Sequence, residues 1–491
     1  MPFTSLAFLI LTAVCTIVYY CIPSSYRRVW LLLISCLYYM AGGPLLILYL
    51  LFAAVTTYVG GRYASRGYKA AVVIPLVLDF GVLAFLKYTP LVVSLLNSLR
   101  IWSIPVPRFV IPLGISFYTF QAVGYLLDVY WKRCEEEKNF GHYLLFVGFF
   151  PQLMQGPIGR YAVLSKELAG TNTFSGEAVR RGLIRISYGF FKKMVIADNA
   201  ALYVNCIFDQ YQSLKCLGFQ GVLMYSIQLY MDFSGGIDIA CGIAEMMGIH
   251  LSENFRQPYF AQSLTDFWHR WHITLGTWMK DYLFYPISLS SWMSRFRKTS
   301  RKLFGKELGR AVPVGAANLI VFFAVGVWHG PELHFLAYGL YHGLIIAVSG
   351  MLTGPFRRMK KRFGITDQSV PFQAFRMART FVLVNISWFL DRSGSIRQAL
   401  VMFKDSFSGK LFSLTVISPG NPHYCLTRFI PIAAGCIIVL VISILKERKK
   451  DVLKAAASLP SAVLIAGIIA VFLLTAFFGV RDGGGFIYAN F

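Results

Sequence analysis

The sequence predicts an all-α fold, a polytopic bundle of roughly 10–13 membrane-spanning helices with re-entrant or interfacial pieces among them. Three observations carry this. Of 491 residues, 56% are hydrophobic, 16% aromatic and only 14% charged, whereas a soluble domain carries about 25% charged residues. Apolar runs of about 20 residues, enough to cross a bilayer as a helix, recur from end to end. The basic residues between them fall in short blocks, as cytoplasmic loops do.

In order, the candidate spans lie near 5–22, 28–41, 43–59, 70–86, 109–127, 142–158, 180–203, 217–248, 266–288, 311–328, 334–351, 373–390, 428–445 and 459–479. The first, about Leu6 to Tyr20, lacks a basic leader and a small-residue cleavage site, so it reads as a retained helix. The net charge of +24 is gathered in residues 295–310, 357–362 and 446–454. Two apolar runs separate each block from the next, so all three fall on one face, the cytoplasmic one by the positive-inside rule. The last helix then carries the C-terminus to the outer face. The connector of about 391–427, with Asp391, Lys404 and Pro419, falls outside as well, lying on or dipping into the membrane. Nucleic acid is not expected as a partner, since no folded domain surrounds the basic blocks. Nine cysteines show no CxxC pair, and several sit in apolar runs as small hydrophobes, so neither disulfides nor a metal cluster is expected. No repeat, low-complexity tract or linker divides the chain, and residues 1–491 read as one domain.

Polar residues inside apolar segments are costly and therefore informative. One such stretch runs from Gln228 to Asp238, with Asp232, Ser234 and the pair Gly235-Gly236, which should loosen or break the helix. It reads either as a wet cavity or as a satisfied structural kink. Next, Asn254 to Tyr259 reads as a turn with polar anchors. A further stretch runs from Asp266 to Tyr282. On a helix, Trp268, Trp271, Leu275 and Trp278 would share one face, and Asp266 and Arg270 would pair at i, i+4. His269 and His272 are spaced HxxH, but the pattern is not HExxH and no third ligand stands at useful spacing. The last is Gly326-Val-Trp328-His329-Gly330-Pro331-Glu332-Leu-His334, with His342 beyond. His329 lies where a helix ends, and a neutral imidazole is the usual general base near pH 7. No GxSxG, Walker loop or strand-following GxGxxG competes with it.

These residues carry a resemblance. Pro112-Leu-Gly-Ile-Ser116-Phe-Tyr-Thr-Phe-Gln121, Phe150-Pro-Gln152-Leu-Met-Gln155-Gly-Pro157-Ile-Gly-Arg160, Asp232-Phe-Ser-Gly, Asn254-Phe-Arg-Gln-Pro-Tyr259, Asp266-Phe-Trp-His-Arg-Trp-His272, Asp281-Tyr282 and Val327-Trp-His-Gly330 follow in order from about residue 110 to 345. The chain thereby resembles the membrane-bound O-acyltransferase family, in particular its bacterial branch of alginate O-acetylation membrane subunits. The closing Phe486-Ile-Tyr488 is similar to that branch's C-terminus.

The resemblance implies a bundle around a transmembrane tunnel, with a donor entering from the cytoplasm and an acceptor hydroxyl arriving from outside. His329 and His272 fall on the family's important histidines. Asp266 and Arg270 would shape the site, Trp268, Trp271 and Trp328 would wall it, and Asp232, Asn254 and Asp281 belong to the matching motifs. The expected activity is O-acyl transfer, without a bound cofactor or metal, from acetyl-CoA or an acyl carrier protein to an extracytoplasmic polysaccharide or a secreted or anchored partner acyltransferase, in the lipid of the cell membrane. The chain departs from the branch at Gly236 and Ile237, at His269 and at Ile287-Ser-Leu-Ser290, which leaves the acceptor open. The alternatives are D-alanyl transfer from a carrier protein toward teichoic acid, a transporter or flippase for a lipid-linked sugar, and a catalytically inactive scaffold.

Overall fold

The computed structural model describes residues 5–99, 103–107, 109–153, 155–480 and 485–487. Two motif residues quoted above, Met154 and Tyr488, lie outside them. The described residues contain helices, turns and loops, with no strand among them. Two compact units form. One comprises Met1–Asn199, Leu229–Glu253 and Ile430–Phe491, and the other Ala200–Gln228 and Asn254–Phe429.

By length and composition, six helices among the described residues can cross a bilayer: Pro44–Ala64, Ala70–Ser98, Ser291–His329, Leu333–Met351, Pro422–Glu447 and Ser461–Phe478. Most other expected runs hold helices that are shorter or more polar, such as Leu6–Cys21, Ser24–Met40 and Ile115–Tyr130. Two do not hold a spanning helix. Residues 142–158 break into Phe140–Gly148 and Phe150–Leu153 followed by non-helical chain. Residues 266–288 divide at Trp271–His272 into the short helix Leu264–Arg270 and a helical run from Ile273 to Leu289 that is widened by a π turn at Lys280–Phe284.

The first unit is built on aromatic packing. Tyr19, Tyr39, Tyr118, Tyr125, Tyr143 and Phe146 are fully buried. The Tyr143 hydroxyl sits 2.7 Å from Thr57 Oγ1, the partner that a buried tyrosine needs. In the apolar helix Leu6–Cys21, the hydroxyls of Thr12 and Thr16 bond back to the carbonyls four residues earlier, so these polar groups cost little in an apolar setting.

Ion pairs explain why this unit keeps charges in its apolar segments. Lys193 lies 2.7 Å from both Asp232 and Asp198. Lys192 lies 2.6 Å from Asp238 and donates to Ser234 Oγ at 2.8 Å. Arg185 reaches Asp238 and Glu253 at 3.0 and 2.8 Å. Both lysines project from the π-helical turn Phe191–Ala197, and such widened turns mark places where a helix is forced out of its regular bonding. The carboxylates expected to mark a broken helix are therefore paired, and the break itself is absent, because Gly218–Met246 is one continuous helix. Its glycines serve close approach instead. A Cβ on Gly235 would sit 2.9 Å from the Gly189 carbonyl, and one on Gly236 1.8 Å from Oε1 of fully buried Gln155. Seven residues on, Gly242 and Gly182 abut in the same way, each placing a would-be Cβ within 2.6 Å of the other's carbonyl. Small residues at this spacing let two backbones touch.

The second unit centres on a hairpin of Ser291–His329 and Leu333–Met351. Its arms close tightly because Gly339 admits the carbonyl of Phe322, 2.2 Å from where its Cβ would be. The first basic block is helical, not a loop, interrupted only at Gly305, whose φ of 75° no ordinary residue adopts without strain. Asp391, expected in an external connector, instead belongs to the last turn of helix Val370–Arg392, and the connector contains a further helix, Ile396–Asp405.

Candidate functional site

His329 is the last residue of its helix and only 5% exposed. Gly330 ends the helix in extended conformation and Leu333 begins the next, so the imidazole is held at a corner. Trp328 and Tyr338 stand with ring centroids 5.1 Å from it. On its other side, Nδ1 lies 3.3 Å from Oδ1 of Asp391, within ion-pair distance but off hydrogen-bond alignment, and both side chains are 4% exposed. The second carboxylate oxygen of Asp391 accepts a hydrogen bond from the Tyr225 hydroxyl at 2.8 Å.

His272 sits in a break between two short helices. The expected single helix from Asp266 to Tyr282 is two, Leu264–Arg270 and Ile273–Met279, and His272 between them is left-handed, with φ 45° and ψ 53°. The cause is tertiary. The Asn254 carbonyl accepts from the amide of Ile273 at 3.0 Å, and the amide of Arg256 donates to the Arg270 carbonyl at 2.9 Å. The Asn254 side-chain oxygen accepts from the amide and hydroxyl of Thr274 at 3.0 and 2.9 Å and faces His272 Nδ1 at 3.2 Å. Because the Thr274 amide can only donate, the oxygen of Asn254 must face it. The same oxygen then favours the tautomer with Nδ1 protonated, leaving the lone pair on Nε2. His272 is 1% exposed, and its ring lies 6.0 Å from that of Trp328. Trp328 therefore contacts both histidines.

Other candidates take supporting places. Asp266 bonds Arg270 Nε at 2.9 Å and accepts from the Gln262 amide at 3.0 Å, while Ser263 caps the helix by accepting from the Asp266 amide. Their i, i+4 pairing is as expected, and it ties the first turn of helix Leu264–Arg270 to its last residue. Trp271, fully buried, stacks on Phe267 at 5.4 Å and meets Trp388 at 5.8 Å. Trp268 donates from Nε1 to His342 Nδ1 at 3.3 Å. His269 is exposed where His272 is buried, so the HxxH pair does not converge. Asp281 lies in the π-helical turn Lys280–Phe284. Asp232 belongs to the other unit and is engaged by Lys193.

Three contributors escaped sequence reasoning: Asp391, Tyr225 and Tyr338. Asp391 is a lone carboxylate ending an apolar helix, which is a signal, but beside Arg392 it reads as a helix boundary. The two tyrosines are indistinguishable in sequence from the core aromatics around them. Chemically, the assembly offers a buried imidazole with a carboxylate on one ring nitrogen, a second imidazole across an indole, and apolar walls that exclude water. This is suited to moving one proton between substrates.

Comparison with known proteins gives a concordant picture. The sequence model of the membrane-bound O-acyltransferase family matches residues 137–300. The chain is 32% identical over 416 residues to the probable alginate O-acetylase AlgI of Pseudomonas aeruginosa, covering 82% of this chain and 74% of that one. It is 29% identical over 411 residues to the peptidoglycan O-acetyltransferase of Helicobacter pylori, covering 77% and 73%. It is also 30% identical over 237 residues to the teichoic acid D-alanyltransferase of Bacillus subtilis, covering 48% and 58%.

Proposed function

Because the chain belongs to the membrane-bound O-acyltransferase family and is a membrane-embedded O-acyltransferase, we propose that it passes an acetyl group from cytoplasmic acetyl-CoA to a hydroxyl of an extracytoplasmic polysaccharide, directly or through a partner protein. The observation that carries this reading is the buried imidazole of His329 at the helix corner, facing His272 across Trp328. His329 takes the proton of the acceptor hydroxyl as its oxygen attacks the thioester carbonyl. The C–S bond breaks, and the departing thiolate collects the proton from the imidazolium, yielding the ester and the free thiol. His272, accepting through the Nε2 lone pair, helps to orient the acceptor hydroxyl. The basic blocks steer a polyanionic donor toward the cytoplasmic face, and with those blocks inside the last helix carries the C-terminus out. Reporter fusions at residue 303 and at the C-terminus should then report opposite faces, and a shared face overturns that topology.

The relatives favour acetyl over other acyl groups, since the two O-acetyl-transferring relatives align over most of the chain and the D-alanyltransferase over about half. D-alanyl transfer from a carrier protein remains the second reading on the strength of that shorter match. The transporter reading has no support in an acyltransferase. The test is donor turnover by the purified protein in nanodiscs, offered radiolabelled acetyl-CoA and, separately, a D-alanyl-charged carrier protein, with His329→Ala as control. Turnover of acetyl-CoA that requires His329 is the expected result. Turnover of the charged carrier alone moves the protein to D-alanylation, and full activity of His329→Ala removes His329 from the chemistry.

A further inference from the structure

The pairing of His329 with Asp391 deepens that reading and rests on it. We infer that Asp391 is a positioning residue, which holds the His329 imidazole with its Nδ1–H toward the carboxylate and so presents Nε2, lone pair outward, to the acceptor hydroxyl. Three features of the geometry carry this.

The contact is dry. Both side chains are 4% exposed with 3.3 Å between Nδ1 and Oδ1, so water does not screen the attraction between carboxylate and imidazole. The present alignment is loose, as such contacts often are without substrate, and it tightens as positive charge develops on the ring. The carboxylate is itself fixed, because the Tyr225 hydroxyl binds its other oxygen at 2.8 Å and the Tyr225 ring meets Trp388 at 5.8 Å. A base oriented by a third group, and that group oriented in turn, is the recurring logic of activated nucleophiles. Finally, the helix that bears Asp391 does not depend on it for placement. His334 donates from Nδ1 to the Leu390 carbonyl at 2.8 Å, the Tyr341 hydroxyl donates to the Leu383 carbonyl at 2.9 Å, and Trp388 stacks on Tyr338 at 6.0 Å. A buried carboxylate added to so anchored a helix has a use other than anchoring.

The test compares two substitutions in the full-length protein in nanodiscs. Asp391→Asn keeps shape and removes charge, whereas Asp391→Glu keeps charge and disturbs shape. If Asp391 positions the base, Asn lowers kcat about 10²–10⁴-fold with KM for acetyl-CoA unchanged, and Glu retains more activity than Asn. A purely structural role ranks the two the other way, with Tm falling in step. Adding Asp391→Asn to His329→Ala should cost nothing further, since the two act as one unit. If His329→Ala is inactive and Asn equals or exceeds Glu, the positioning role is overturned while the acyl-transfer reading stands. If His329→Ala is active, His329 is not the base and the positioning role falls with it; if the native protein turns over neither donor, the proposed acyl transfer itself falls. Should the protein turn over only the D-alanyl carrier, the same ranking is read on that donor.

Discussion

One oxygen of Asn254 faces His272 Nδ1 at 3.2 Å, and through Thr274 it also fixes the start of the helix that follows. Replacing Asn254 by Ala removes the acceptor that the buried Thr274 amide uses, which costs about 1–3 kcal/mol. It also removes the oxygen that faces His272 Nδ1. Thermal unfolding in detergent should show the lower Tm, and acyl transfer should fall further than the stability loss explains.

The left-handed backbone of His272 separates conformation from chemistry. Both His272→Ala and His272→Gly lose the imidazole, and each should lose activity by about 10²–10⁴-fold. Glycine tolerates φ 45° and alanine does not, so the Gly variant should be more stable by about 1 kcal/mol. Equal Tm values for the two would mean that the backbone relaxes on substitution.

Lys193 serves two carboxylates and Asp232 serves one lysine. Lys193→Met strands Asp198 and Asp232 together and should cost about 3–5 kcal/mol. Asp232→Asn leaves Lys193 with Asp198 and should cost less. Urea unfolding or membrane abundance of the two variants gives the order, and the reverse order would contradict the shared pairing.

The Gly182–Gly242 contact predicts a local steric effect. Gly242→Ala or Gly182→Ala drives a methyl group into backbone carbonyl and should lower stability by about 1–3 kcal/mol. Gly350→Ala is the control, since nothing lies within 4 Å of its would-be Cβ. That change should be neutral or mildly stabilising.

Hydropathy and motif order made the helical fold and the two histidines legible, because both are written in runs of consecutive residues. What failed did so where tertiary contacts decide. Nothing between Asp266 and Leu275 is Gly or Pro, so periodicity carried one helix through His272, while the break is imposed by Asn254 from outside the segment. Gly235-Gly236 looked like a hinge, since a glycine's backbone freedom is visible in sequence and a carbonyl packed against it is not. Asp391 lies 62 residues from His329, and only the fold brings the two within 3.3 Å.

Four of the nine tryptophans, 268, 271, 328 and 388, line the neighbourhood of the histidines. Trp328 touches both His272 and His329, and Trp268 bonds His342. The molecule thus carries its own optical probe. Indole emission responds to the charge and polarity of its surroundings, so a donor entering beside Trp328, or a proton arriving on its neighbours, changes the light the protein emits without any label attached. Trp328→Phe marks which part of that signal originates at the site.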